Sequence, residues 1–441
     1  LSPAAHALDL LQTWEQARLH DPQMQLVLST RSSVQAFEAQ AQALWRPVLM
    51  GSATLGAMSA DSRTNGAQFA VGGQAPMPGD FATSANAATS SRWSLQAKQA
   101  LYSPERRAQQ TQLHTAANVA TLRADAAQQQ LMLSTVQRYF NLLLAERQLQ
   151  VLKQQYAAVR RSLTEAQDRF ALGDLPVTDT HEASARAAAL QAQLLASESE
   201  VQMARSVLAD STRLGTDALR PMTPQPALKE LALPALAQVL QQVSTANTGV
   251  LLRKAQQAAA QQALKKHQVG GGVSLDLVAS AGRERLSGEG DFGPSSNTQN
   301  HHMLGLSLQV PIYTGGGRSA QLQEAVSAQA QATAEVDLAV QQAQQQAHAL
   351  WLALQTGPAR LSALKAAWLA STARQEATRL GRQVGDRTTL ELLQAENDAA
   401  QAQLQWLRAQ TELLLSHLQL DALTGQLSVQ SLQTLNAQLA P

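Results

Sequence analysis

Cysteine is absent from this chain of 441 residues. That excludes a disulfide framework, a thiolate metal site, a cysteine nucleophile and a cysteine-borne lipid anchor, so any membrane attachment is expected to come from the fold. Aromatic residues make up only 4%. A length prior would give about three globular domains, but so few rings, among abundant Ala, Gln and Leu, suit thin helical walls rather than thick cores. The net charge of +1 lacks the concentrated basic footprint of a nucleic-acid binder. No run of 18 apolar residues occurs, which excludes a membrane-spanning helix and leaves a spanning barrel open.

Catalytic and cofactor chemistry is missing as well. Gly315-Gly316-Gly317-Arg318-Ser319 lacks the Gly-Lys-Ser/Thr ending of a phosphate loop, and Gly270-Gly271-Gly272 opens a strand rather than a helix. His301 and His302 point to opposite faces of a strand and cannot readily share a metal. With no nucleophile constellation, the expectation is no enzyme, no cofactor and no metal. Near the start, Ala5-His6-Ala7 is like a secretory cleavage triplet, as in a processed, exported protein.

What is present is written twice. Leu101-Tyr102-Ser103-Pro104, a long Ala/Gln-rich stretch and Phe170-Ala171-Leu172-Gly173-Asp174 return as Ile312-Tyr313-Thr314-Gly315, a second such stretch and Arg382-Gln383-Val384-Gly385-Asp386, at an offset of about 211 residues. Two copies of one unit follow: helix, strand, long loop, strand, very long helix, turn, helix. The first is assigned to 8–220, with strand 45–60, loop 61–90, strand 91–102 and helices 104–170 and 178–214. A proline-rich linker at 221–234 precedes the second copy, 235–425. That copy has strand 272–282, loop 283–300, strand 301–313 and helices 319–381 and 388–424. The tail, 426–441, is expected to pack around the outside, in an equatorial position.

The strand segments alternate. Trp93, Leu95, Ala97 and Leu101 oppose Arg92, Ser94, Gln96 and Lys98; Leu304, Leu306, Leu308, Val310 and Ile312 oppose Met303, Gly305, Ser307 and Gln309; Leu275 and Leu277 oppose Ser274 and Asp276. Strands of about 10 residues with one apolar face cross a bilayer at a barrel's tilt, with the polar face toward a lumen. Four strands cannot close, and an open edge in lipid leaves backbone groups unpaired, so several chains must pool their strands.

The long helices hold good helix formers and would each extend roughly 90–100 Å; Gly357-Pro358 is expected to kink or interrupt the second. Heptad seams run along the two shorter helices, through Leu393, Asn397, Ala400, Leu404, Leu407, Thr411, Leu414 and Leu418, and through Ala187, Leu190, Leu194, Ser197, Val201, Ala204 and Leu208.

Arg169 through Asp179, followed by Ala183, resembles the turn of the TolC family of outer-membrane channel-tunnels. Leu10 through Arg18 with Asp21-Pro22, Ser274 through Leu277, Leu306 through Tyr313 and Gly385 through Thr389 are similar to other segments of that family, in the right order along the chain. The resemblance implies a mixed α/β membrane protein: a homotrimer whose chains each give four strands to a 12-stranded β-barrel, continued by a periplasmic α-helical coiled-coil tunnel. It implies a passive duct in the outer membrane of a Gram-negative bacterium, serving an efflux pump or type I secretion. The implied partners are outer-membrane lipid, a periplasmic adaptor and an inner-membrane transporter of RND or ABC type, without nucleic acid.

By the same resemblance, the tunnel's inner end is gated by Thr178, Asp179, Arg382, Arg387, Glu391 and Gln394. The turns Gly173, Asp174, Leu175 and Val384, Gly385, Asp386 would meet the adaptor, and Trp93, Leu95, Leu275, Leu277, Leu304, Leu306 and Leu308 would face lipid. Two departures stand out: the ring positions, usually two aspartates, read Glu391 and Gln394, and a usual tyrosine reads Arg382. One carboxylate per chain should hold polyvalent cations less tightly. Thr388 and Glu391 also read as a capping box, and Asp179 as a first-turn carboxylate. The alternative reading is a periplasmic coiled-coil scaffold or adaptor.

Overall fold

The computed structural model describes residues 9–69, 72–73, 75–213, 233–269, 272–291, 293–313 and 315–438. The Ala5-His6-Ala7 triplet, Gly270-Gly271, Thr314 and nearly all of the 221–234 linker lie outside the described residues. The chain forms two compact units. One comprises 1–34, 118–257 and 331–441; the other comprises 35–117 and 258–330.

The smaller unit holds the sheet: β1 (Val48–Phe69), β2 (Met77–Tyr102), β3 (Ser274–Gly290) and β4 (Gly293–Gln309) form an antiparallel meander in the order β1-β2-β3-β4. Sequence alternation had marked only the helix-proximal ends of these strands. The segments expected as loops, 61–90 and 283–300, are largely strand: β1 pairs with β2 out to Phe69↔Met77, and β3 with β4 out to Gly290↔Gly293. Main-chain ladders need no apolar side chains, so pairing continues through Gly, Ser, Asn and Thr where the hydrophobic signal fades. The strands are therefore 17 to 26 residues long rather than about 10.

Helices α1 (Leu10–His20) and α2 (Pro22–Ala43) precede the first hairpin, and α5 (Leu236–Ala246) and α6 (Thr248–Val269) precede the second; α3 (Pro104–Ala171), α4 (Val177–Thr212), α7 (Gly317–Gln383), α8 (Thr389–Leu423) and α9 (Val429–Gln438) complete the chain. Where one helix was expected before each sheet segment, each repeat has two, broken at Asp21 and at Asn247. Both breaks are made by a side-chain cap. Asp21 Oδ1 accepts from Gln23 N at 2.8 Å, and Asn247 Oδ1 from Val250 N at 3.0 Å, each satisfying an orphan amide at the start of the next helix. Asp21 is 3% exposed and also pairs with Arg138 Nη1 of α3 at 2.7 Å.

The joints between helices and sheet follow one rule in both repeats. Arg106 Nη1 donates to Leu44 O just beyond α2 at 2.6 Å, and Arg318 Nη2 to Gln268 O in the last turn of α6 at 3.0 Å. In each, the arginine that opens the outgoing long helix satisfies a carbonyl at the end of the incoming one, where a cation is favoured.

In the larger unit three of the scarce aromatics meet in the main core. Trp14, Tyr139 and Phe140 are fully buried with Leu131, Leu142, Leu208 and Leu414, the two rings on α3 meeting edge to face at 5.7 Å. A second cluster joins α3, α4 and α8 through Leu152, Val159, Leu163, Ala187, Leu190 and Leu393. The tail is not merely polar: α9 buries Leu432 and Leu435 in the main core, and Asn436 Oδ1 accepts the Leu10 amide at 3.2 Å.

Helix α7 runs unbroken through Gly357-Pro358. Its neighbour α8 packs closely on the glycine, and a Cβ there would displace the end of the Leu413 side chain, 2.4 Å away. Gly425, just past α8, adopts φ +73°, and a Cβ would lie 2.6 Å from Ala246 O. Gly425→Ala therefore combines left-handed strain with a backbone clash, and it should cost about 1–3 kcal/mol. The check is a lowered midpoint of helix melting by circular dichroism in detergent, with Gly51→Ala, whose Cβ meets nothing, as the neutral control.

Candidate functional site

Two places in the fold carry side chains that sequence alone marked as functional: the hairpin turns with the helix starts beside them, and the two faces of the sheet.

The turns are built alike. After α3, Gly173 takes φ +79°, Asp174 N donates to Arg169 O at 2.8 Å and Gly173 N to Phe170 O at 2.9 Å; after α7, Gly385 takes φ +83°, with Asp386 N to Gly381 O at 2.8 Å and Gly385 N to Arg382 O at 3.1 Å. Both are Schellman closures, which need a left-handed residue at the glycine. Asp174 and Asp386 are exposed, Leu175 is half-buried, and the apolar tips are Leu172 and Val384, 78% and 81% exposed. Leu172 was not singled out from sequence; its place two residues before an aspartate in a Schellman turn is the available signal.

The helices that leave the turns start differently. Thr388 caps α8 with a complete capping box: its Oγ1 accepts from Glu391 N at 3.2 Å, and its own N donates to Glu391 Oε2 at 2.7 Å. Arg387 Nη1 donates to Glu391 Oε1 at 3.0 Å. The Thr388 amide first, and the Arg387 guanidinium second, hold the Glu391 carboxyl below its usual value. In α4 the corresponding cap is Pro176, whose side chain offers no hydrogen bond, and Asp179 lies in the first turn without an ion pair among the described residues. Thr178 and Gln394 are exposed. Within the chain, then, Arg387 is joined to Glu391 and not to Asp179 or Thr178.

Arg382 is placed differently from the other gate candidates. Only 8% of its side chain is exposed, and its Nη2 lies 3.0 Å from Glu165 Oε1 of α3. Its Nε and Nη2 make no hydrogen bond of good geometry, and neither does the buried Glu396 Oε2. Burial pushes the Glu396 carboxyl up, against the opposing pull of Arg161, Arg382 and Arg379. The enclosed Arg382 thus links α7 to α3 behind the turns, with the partly buried Glu396 of α8 in its field. Glu165, Glu396 and Arg161 were missed because nothing in their local sequence separates them from the many solvated charges on long helices.

Nearby, Asn397 fills a polar position of the α8 seam. Its Oδ1 accepts from Arg186 of α4 and, at 3.4 Å, from Gln155 Nε2 of α3. An amide at a seam position serves to fix helix register, and here it ties three helices at one level.

The sheet sorts its residues by face. Cross-strand partners Leu275↔Leu308, Leu277↔Leu306 and Leu95↔Ala281 fall on one face together with Leu304 and Trp93. Trp93, Leu304, Leu306 and Leu308 are 51%, 75%, 65% and 64% exposed. The other face carries ion pairs across β2 and β3: Arg92 Nη2 to Glu284 Oε1 at 2.7 Å and Lys98 Nζ to Asp276 Oδ2 at 3.0 Å. A broad exposed leucine face backed by paired charges fits lipid outside and water inside.

Comparison with known proteins agrees with that geometry. Residues 13–212 and 239–426 match the family described as outer membrane efflux protein. The outer membrane protein TolC of Vibrio cholerae is 27% identical over the whole of this chain and 95% of its own length. The proteases secretion protein PrtF of Dickeya chrysanthemi is 25% identical over 70% of this chain and 67% of its own. Among solved structures, the Campylobacter jejuni CmeC outer membrane channel superposes with a TM-score of 0.77 at 14% identity, covering 98% of this chain and 90% of that one. A scaffold or adaptor does not account for a family match that takes in both hairpins and all four strands. The chain belongs to the outer membrane efflux protein family, and it is an outer-membrane channel of the efflux and secretion kind.

Proposed function

We propose that three copies of this chain pool their sheets into a 12-stranded barrel in the outer membrane, and that their helices continue it into the periplasm as a passive, non-catalytic duct. A periplasmic adaptor docks on the turns at Gly173-Asp174-Leu175 and Val384-Gly385-Asp386, and an inner-membrane transporter of RND or ABC type loads the duct.

The single observation that carries this reading is the sheet. β1 and β4 are its edge strands, without a strand partner on their outer sides among the described residues, and one face is rich in exposed leucine. In hydrocarbon each unpaired backbone group costs several kcal/mol, so closure by other copies is the state that satisfies both edges. PrtF and TolC support efflux and secretion alike as the duties of such a duct.

Gating is assigned to the ends of α7 and α8. The Arg387–Glu391 pair and the α8 cap stiffen one helix start, while Asp179 and Thr178 of α4 remain available to Arg387 of a neighbouring copy. The Arg382–Glu165 pair holds the α7–α8 hairpin against α3. Opening is the loosening of these contacts, with the second hairpin untwisting.

Three outcomes test the reading. Sedimentation of the detergent-extracted protein should give a particle of three chains; a monodisperse single chain ends the proposal. In planar bilayers, Arg387→Ala with Glu391→Ala should raise single-channel conductance severalfold, and unchanged conductance would remove these residues from the gate.

The third outcome concerns pH. Because the folded state holds the Glu396 proton more tightly than the unfolded chain, stability falls as pH rises from the ordinary carboxylate range through the raised value. Glu396→Gln should remove that slope and raise the melting midpoint at neutral pH by a few degrees. Glu391 works in the opposite sense, its cap complete at neutral pH and lost on acidification.

A further inference from the structure

We propose that Arg283 and Arg285, on the outward face of β3, form a binding site for the phosphate groups of the outer-leaflet glycolipid. The inference rests on the barrel reading above and adds a ligand to its outer surface.

Register places both arginines on the leucine side. Arg283 pairs with Trp93 of β2 and Asn300 of β4, and Arg285 with Ser91 and Thr298. Since alternate residues share a face, Leu275, Leu277, Ala279, Ala281, Arg283 and Arg285 run up one side of β3. From Leu275 to Arg283 the strand rises about 27 Å, or about 21 Å along the membrane normal at a tilt of ~40°. That is close to the height of an apolar barrel band, ~25 Å, so the arginines stand at its far end. Trp93, level with Arg283, is the residue type that marks this boundary.

Charge accounting separates the two faces. On the inward side Arg92 and Lys98 each hold a carboxylate, Glu284 and Asp276. On the outward side neither Arg283 nor Arg285 has an ion pair among the described residues, and both are exposed. Arg283 Nε donates to the neutral Asn300 Oδ1 at 2.9 Å, which orients the guanidinium and leaves its charge uncompensated. Ser91, Thr298 and His302 surround the pair with further polar groups, and the next acid on this side of β3 is Glu289, four residues beyond Arg285. Two guanidinium groups without a carboxylate partner, beside a tryptophan and above a leucine belt, are complementary to phosphate held above acyl chains.

This end of the sheet carries the β1–β2 and β3–β4 hairpins, while the opposite end joins the helices. With the helices periplasmic, the arginines meet the outer leaflet, whose lipid is a phosphorylated glycolipid. That commits the occupant to glycolipid rather than inner-leaflet phospholipid.

The test is native mass spectrometry of the full chain in detergent, titrated with bisphosphorylated lipid A and with the same lipid after phosphatase treatment. Wild type should retain the phosphorylated form preferentially. Binding should weaken about fivefold for Arg285→Gln and about thirtyfold for Arg283→Gln with Arg285→Gln. Arg92→Ala, which removes an inward charge, should leave it unchanged.

Equal binding of the phosphorylated and phosphate-free lipids by wild type would overturn the proposal even if the double variant failed to fold. So would an equal loss in Arg92→Ala, or preference for phosphatidylglycerol over lipid A. A single-chain particle would remove the lipid face and both readings with it, whereas a conducting particle indifferent to phosphate overturns the glycolipid site alone.

Discussion

Hydrocarbon offers no hydrogen bonds, and that constraint governs the rest of this molecule. A four-stranded meander satisfies the inner sides of its ladders and leaves β1 and β4 each with an open edge. In water such edges would be tolerable if charged or covered; in lipid they are not. The exposed leucines argue that the sheet does meet lipid, so edge pairing between copies becomes the condition on which barrel, tunnel and duct all depend.

The repeat shows what duplication preserves and what it releases. Preserved are the backbone devices: an Asx cap at Asp21 and Asn247, an arginine from each long helix onto a carbonyl at the preceding helix end, and a Schellman turn at Gly173 and Gly385. Each meets the same need, the orphan groups of a helix end. Released are the side chains at the two helix starts. Glu391 is used locally, by its cap and by Arg387, whereas the Asp179 carboxylate has no ion pair among the described residues. A tube built from two unequal hairpins can hold one and move the other.

Charge is sorted in the sheet by the same economy. Inward cations are matched to carboxylates across β2 and β3, so the inner face carries polarity with little net field. Arg283 and Arg285, on the outward face, have no ion pair among the described residues and stand at one end of the apolar band, where the membrane itself supplies anions. In the helical unit, by contrast, two of the charges behind the turns, Arg382 and Glu396, carry buried and incompletely satisfied atoms. Burial raises Glu396, and Arg382 is almost enclosed. Groups held at such cost are suited to an element that must let go.

Several features were legible in residue order. Alternation at Trp93–Leu101 and Leu304–Leu308 marked strands with one greasy face, although β4 ends at Gln309 and Val310 and Ile312 lie beyond it; the doubled landmarks marked the repeat, and the heptad seams marked Leu190, Leu393 and Leu414, all of them buried. These are local periodicities, which backbone geometry converts directly into faces. Residue order did not reveal how far the strands extend, because a ladder of Gly, Ser and Asn has no hydrophobic signature. Nor did it reveal that Arg382 meets Glu165, that Asn397 joins three helices, or that Arg283 stands beside Trp93 without an ion pair among the described residues. Those relations link residues far apart in the chain, and only packing of one element on another decides which of many similar charges are buried, matched or left over.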